Sequence, residues 1–181
     1  MIGQAGAEAL GQAIFGSLLT DSERVRLVTS FRIRTIAPRP NVSHDPEIMY
    51  DKEITLVSDE EVLVGRLVGV YSGTEYTVRI TYRTSTPEHT AWNLFDALVQ
   101  VRTDLERDGL KPAVEGACRD VYPSRMAMDM GGGRRAYRWS QSGRPATVDI
   151  FDGVPTADYA RLAYVAEQSD LNKQRRKRGN E

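Results

Sequence analysis

The chain has 181 residues, with 24 Lys+Arg against 25 Asp+Glu and a formal net charge of −1. Hydrophobic residues make 40% and charged residues 27%, which fits a soluble globular protein and excludes collagen-like, low-complexity or wholly disordered chains. The single cysteine, Cys118, rules out an internal disulfide and cysteine-based zinc sites, and the two distant histidines, His44 and His89, leave no histidine-pair metal motif.

Residues 1–20 place Leu10, Ile14 and Leu18 four apart, on one helical face. Glycines weaken a helix there, so the spacing predicts an N-terminal arm or loose helix. The segment lacks a basic leader and carries Gln4, Glu8 and Gln12, so no secretory signal is expected and a cytoplasmic location follows. The longest apolar stretch, Val62 to Tyr71, is broken by Arg66 and falls short of the roughly 20 residues of a membrane span.

Residues 21–171 read as one domain. Val25, Leu27, Phe31 and Ile33 alternate with Arg26, Arg32 and Arg34, the pattern of a strand with one apolar and one basic face. Prolines 38 and 40 end it, and 38–51 reads as a loop. Ile54–Val57 is a short strand. Val62–Tyr71 is apolar on both parities, which predicts a strand buried on both faces. Tyr76, Val78, Ile80 and Tyr82 then alternate with polar residues, completing an antiparallel meander.

Thr90 is the expected N-cap of a helix over 90–108, whose apolar stripe includes Trp92, Phe95, Leu98 and Leu105. Arg102 and Arg107 are expected at its edges, and Asp108-Gly109 ends it. Short strands follow at 114–121, 135–140 and 147–151. A last helix starts at Pro155-Thr156, and 172–181 forms a disordered basic tail of local charge +4. The fold class is α+β: an antiparallel sheet with an amphipathic helix on one face and a C-terminal helix.

The most unusual stretch runs from Tyr122 to Tyr137, with three of the five methionines inside five residues. Its candidate partner-binding residues are Arg125, Met126, Met128, Asp129, Met130, Gly131, Gly132, Gly133, Arg134, Arg135 and Tyr137. Methionine suits plastic contact surfaces. The glycine run suits close backbone approach or an anion nest completed by Arg134 and Arg135. The plainer alternative is a hairpin loop whose methionines fill the core edge.

Three other constellations compete with this loop. Lys173, Arg175, Arg176, Lys177 and Arg178 suit phosphate contacts, helped by a basic sheet face of Arg26, Arg32, Arg34, Arg79 and Arg83. The alternative for the tail is a solvated end without interleaved aromatics. Asp120, Asp129, Asp149 and Asp152, with Glu115 nearby, suit a metal-dependent enzyme if they converge. Cys118 and His89 are a nucleophile–base pair only if the fold joins them. No cofactor motif is present. Asn41-Val-Ser43 is a glycosylation sequon with no secretory context.

Trp92-x-x-x-x-Ala97-Leu98, the run Gly116 to Ser124 and the segment Met126 to Tyr137 carry a resemblance. Over Trp92 to Phe151 the chain resembles small uncharacterised bacterial proteins, some of them similar to immunity partners of bacterial toxins. The resemblance implies a bacterial origin and a binding role without an active site. Together these readings predict a non-enzymatic protein that contacts a macromolecular partner through 122–137. The charge also separates into blocks: residues 45–61 carry seven acids against Lys52.

Overall fold

A computed structural model describes residues 45–140 and 143–178. The expected arm at 1–20, the strand at 25–35 and the sequon at 41–43 lie outside them. Among the described residues, no helix is long and apolar enough to cross a membrane.

The architecture is α+β, as the sequence predicts. Strands β1 (Glu47–Val57), β2 (Val62–Tyr71), β3 (Tyr76–Thr81) and β4 (Glu88–Ala91) form an antiparallel meander, and β5 (Lys111–Pro112) adds to the far edge. The sheet order is β4-β3-β2-β1-β5. Helix α1 (Leu94–Arg107) buries Leu94, Phe95, Leu98, Val101 and Leu105 against one face. Leu56, Leu67, Val78 and Ile80 meet them from the sheet, all at 0% exposure. This shared apolar layer supplies the main driving force for the fold.

A second sheet of three strands, β6 (Val121–Tyr122), β7 (Arg135–Arg138) and β8 (Ala146–Asp149), stands beside it. Helix α2 (Arg125–Met130) sits in the β6–β7 connection, and α3 (Val165–Arg178) follows a 3-10 turn at Thr156–Arg161.

Several elements differ from the sequence reading, each for a physical reason. β1 begins at Glu47, inside the expected loop. A register shift between Ile48 and Tyr50 breaks its alternation, and Lys52 donates to the Phe151 carbonyl, which disguises the strand's parity. β2 buries one face only: Val62 and Val64 are exposed on the other. The expected helix start at Thr90 is strand instead. Thr90 pairs with Thr77 across β3–β4, and their hydroxyls lie 2.8 Å apart. Asn93 caps α1, accepting from the Asp96 amide at 2.8 Å and donating to its carboxylate at 2.7 Å. Trp92 therefore leaves the apolar stripe and is 77% exposed.

The helix ends as expected, with Gly109 at φ 69° and its amide on the Glu106 carbonyl. Residues 114–121 hold a 3-10 turn (Glu115–Ala117) and short bridges rather than one strand, because their amides bond into neighbouring loops: Glu115 to Asp152 O and Gly116 to Ile150 O. The last helix starts nine residues late, at Val165, and continues to Arg178 through the segment expected to be a disordered tail.

Candidate functional site

The 122–137 segment does not act as one loop. Ser124 accepts from the Ala127 amide at 3.1 Å and caps α2. Met128 packs against the core, while Met126 and Met130 are exposed. Gly131 follows α2 as its C-cap. The glycine run serves α1 rather than an anion. Gly132 O accepts from the Leu94 amide at 2.8 Å, satisfying a free N–H of the helix start. Gly133 has φ 68°, and a Cβ there would sit 2.7 Å from Asn93 Oδ1.

Arg134 is likewise committed to structure. It donates to Asp149 at 2.8 Å, and Tyr50 donates to the same carboxylate at 2.7 Å. Burial disfavours the Asp149 anion, but Arg134, the Phe151 amide and Tyr50 outweigh it and hold the carboxyl below its usual range. The same burial, with the bond to Asp149, raises the Tyr50 hydroxyl. Arg134 is thus committed to Asp149, and Arg135 and Tyr137 share the outer face of β7. Arg135 is exposed on β7, and among the described residues Asp129 pairs with Arg125, at 3.9 Å.

Of the four aspartates of the metal-enzyme reading, Asp149 and Asp152 are neighbours, and Asp120 and Asp129 are held elsewhere. Asp120 bonds Arg161 at 3.1 Å, and Arg161 also bonds Glu115 at 2.8 Å. Glu115 takes Arg138 as well, at 2.9 Å. Asp152 accepts from the Asp149 amide at 3.3 Å. Among the described residues, no three His, Cys, Asp or Glu side chains are placed to hold a metal ion. Cys118 and His89 are not joined. His89 bonds Asp104 at 2.6 Å, while Cys118 is fully buried and burial pushes its thiol up to about 12. The basic sheet face is neutralised where it is described: Arg79 pairs with Glu88 and Arg83 with Glu61.

What the fold does bring together is the start of the loop and the basic tail. A cleft of about 700 Å³ opens between them. Tyr122, Ser124 and Arg125 form one side, Tyr137 and Trp139 the floor, and Asn172, Arg175 and Arg176 of α3 the other side. Positions 172, 175 and 176 share a helical face by their spacing of three and four.

Tyr137 and Trp139 are 39% and 38% exposed, their ring centroids 6.3 Å apart and their planes inclined by 61°. The Arg175 guanidinium lies over the Trp139 ring, 5.2 Å from its centroid. Arg175 Nη1 is shielded from solvent, and among the described residues it is the buried side-chain nitrogen or oxygen without a hydrogen-bond partner. Trp139 also lines a second hollow of about 500 Å³, together with Arg144 and the paired Asp120 and Arg161.

The sequence reading named Arg125, Tyr137, Arg175 and Arg176 but assigned them to rival hypotheses. Tyr122 and Asn172 open the two segments that carry those hypotheses, while Trp139 lies outside both. The alternation Tyr137-x-Trp139 on a strand was the available signal for two aromatics on one side. The aromatics missing from the tail come from a different element. No protein-family model matches this chain, and no curated protein matches it in sequence.

Proposed function

We propose that this chain is a non-enzymatic binding protein that contacts a macromolecular partner through the cleft between the 122–125 segment, the Tyr137–Trp139 floor and the basic end of α3. One observation carries the reading. A guanidinium nitrogen is withheld from solvent beside two half-exposed aromatic rings and has no acceptor among the described residues, a cost that a ligand oxygen would remove. The carboxylates that would serve a hydrolytic or metal centre are instead committed within the fold: Asp120 and Asp149 to arginines, Asp152 to the Asp149 amide, and Asp129 to a long contact with Arg125. An immunity- or accessory-type role of the kind implied by the resemblance is one form of this reading. Met126 and Met130 stand exposed on α2, next to the cleft's Arg125, and extend the contact face.

A photoreactive amino acid at Asn172, on the cleft wall, tests the proposal in cells. Adducts are expected at this position and not at an equivalent substitution of Glu88 on the outer edge of β4. Absence of any adduct at 172 overturns the reading.

A further inference from the structure

The chemistry of the cleft narrows the class of its partner, an inference that rests on the binding role proposed for the cleft. Its floor is two aromatic rings set at 61°, so a planar group stacked on one meets the edge of the other. Its cations are all arginines. Arg125 has only a long contact, 3.9 Å, to the exposed Asp129. Arg175 and Arg176 pair with no carboxylate among the described residues, whereas the acids of α3 are already engaged: Asp170 with Lys173 and Glu167 with Arg119. The site is therefore positive and aromatic at once, and it holds an N–H donor that lacks an acceptor among the described residues.

An acidic peptide would satisfy the charge but leave the rings without a planar partner. A nucleotide satisfies both, with its base on an aromatic face and its phosphate oxygens on guanidinium groups. The two hollows extend the argument from one nucleotide to a strand. Trp139 lines both the 700 Å³ cleft and the 500 Å³ hollow. Arg144 lies in the second hollow, exposed and without a carboxylate partner among the described residues. Adjacent nucleotides of one strand can thus share a single indole, each with its own arginine. A duplex presents no free base faces, so the ligand is single-stranded.

We infer that the cleft binds single-stranded nucleic acid, stacking a base on Tyr137 or Trp139 and pairing its phosphates with Arg125, Arg175, Arg176 and Arg144.

The test uses the full 181-residue chain and a fluorescein-labelled uridine octamer, read by anisotropy across a salt series. Four phosphate contacts predict a slope of log affinity against log salt of about −2 to −3, and R175Q should reduce its magnitude by roughly 0.7. R175Q and W139A should each weaken binding by roughly tenfold or more. Arg175 is half-buried near the end of α3, outside the hydrophobic core, so circular dichroism should show R175Q folded, and it carries the test if W139A does not fold.

Three comparators separate the outcomes. A uridine octamer paired with its complement should bind at least tenfold more weakly. AMP binding as tightly as the octamer overturns the strand. An acidic, tyrosine-containing peptide of equal charge that binds where the octamer does not overturns the nucleic-acid inference and leaves the binding reading standing. The octamer failing to bind at 50 mM salt, or binding equally well to R175Q, also overturns it. Nuclease and protease treatment of the Asn172 adducts gives the same separation in cells, since an adduct removed only by protease is a protein partner.

Discussion

The two halves of α3 treat arginine in opposite ways. At its first half, Arg102 of α1 is 1% exposed, yet its donors are engaged: Gln168 Oε1 at 2.6 Å, Ala163 O at 2.8 Å and Gly116 O at 3.1 Å. Burial pushes this guanidinium down to about 10, which still leaves it charged at neutral pH. Gln168 completes the knot by donating to the carbonyls of Gly116, Cys118 and Val121. At the second half, Arg175 is only partly buried and has a nitrogen with no hydrogen-bond partner among the described residues. A buried polar group that is satisfied rigidifies a structure, and one left unsatisfied costs free energy unless a ligand completes it. Position along one helix therefore separates an arginine that builds the fold from one that awaits a contact.

The sharpest way to break the contrast is R102M. It removes a donor from three buried oxygens; Gly116 O keeps Gln168, while Ala163 O and Gln168 Oε1 are left orphaned at about 1–3 kcal/mol each. We expect a loss near 4 kcal/mol in urea unfolding. A loss below about 1 kcal/mol would mean that water replaces the guanidinium and that the two halves of α3 are alike.

D149N comes next, at about 2 kcal/mol, the scale of hydrogen bonds to a charged acceptor. Its pH dependence has a definite sign. The folded carboxyl of Asp149 is held below its ordinary value, so the wild-type advantage is full above about pH 4 and shrinks as pH falls through the folded value. Unfolding curves for wild type and D149N should converge in acid. A gap that stays constant to pH 2 would remove the ion pair as its cause.

G133A should cost about 1–2 kcal/mol, through its positive φ and the crowding at Asn93. The loss should appear chiefly as hydrogen exchange at the start of α1, where the Leu94 amide relies on Gly132. Smallest is R175Q, expected within about 0.5 kcal/mol of wild type and no less stable, since it removes an unsatisfied buried donor. A large destabilisation by R175Q would show that Arg175 belongs with Arg102 as a structural residue.

The sequence showed the meander and the sheet-covering helix because periodicity reports burial directly. β3 and α1 each bury one clean face. It hid β1 because a register shift and an inward-pointing Lys52 break the period of two. It hid β4 because Thr90 is chemically fit both to cap a helix and to pair with Thr77 across strands, and only the pairing energy of β3 decides between them. Arg102 fell on the apolar stripe and was expected at its edge, because nothing local reveals three carbonyls waiting for it from residues 116 to 168. The cleft was legible only in pieces. Trp139 and the α3 arginines come from segments more than thirty positions apart, so no local pattern joins them.

The knot at Gln168 also sets how far the basic end of α3 can wander. Gln168 and Arg175 are seven residues apart, about 10.5 Å along the axis and within about 20° of the same direction. A helix gripped through one side chain by Arg102 and three carbonyls behaves as a lever on a fixed bearing, free to flex at its tip but unable to roll about its axis. Arg175 thus keeps its aim over Trp139 without an ion pair of its own among the described residues to hold it. The alignment of the outer arginines is a property of an amide two turns away, and Q168L would misdirect them while leaving every residue of the cleft in the sequence.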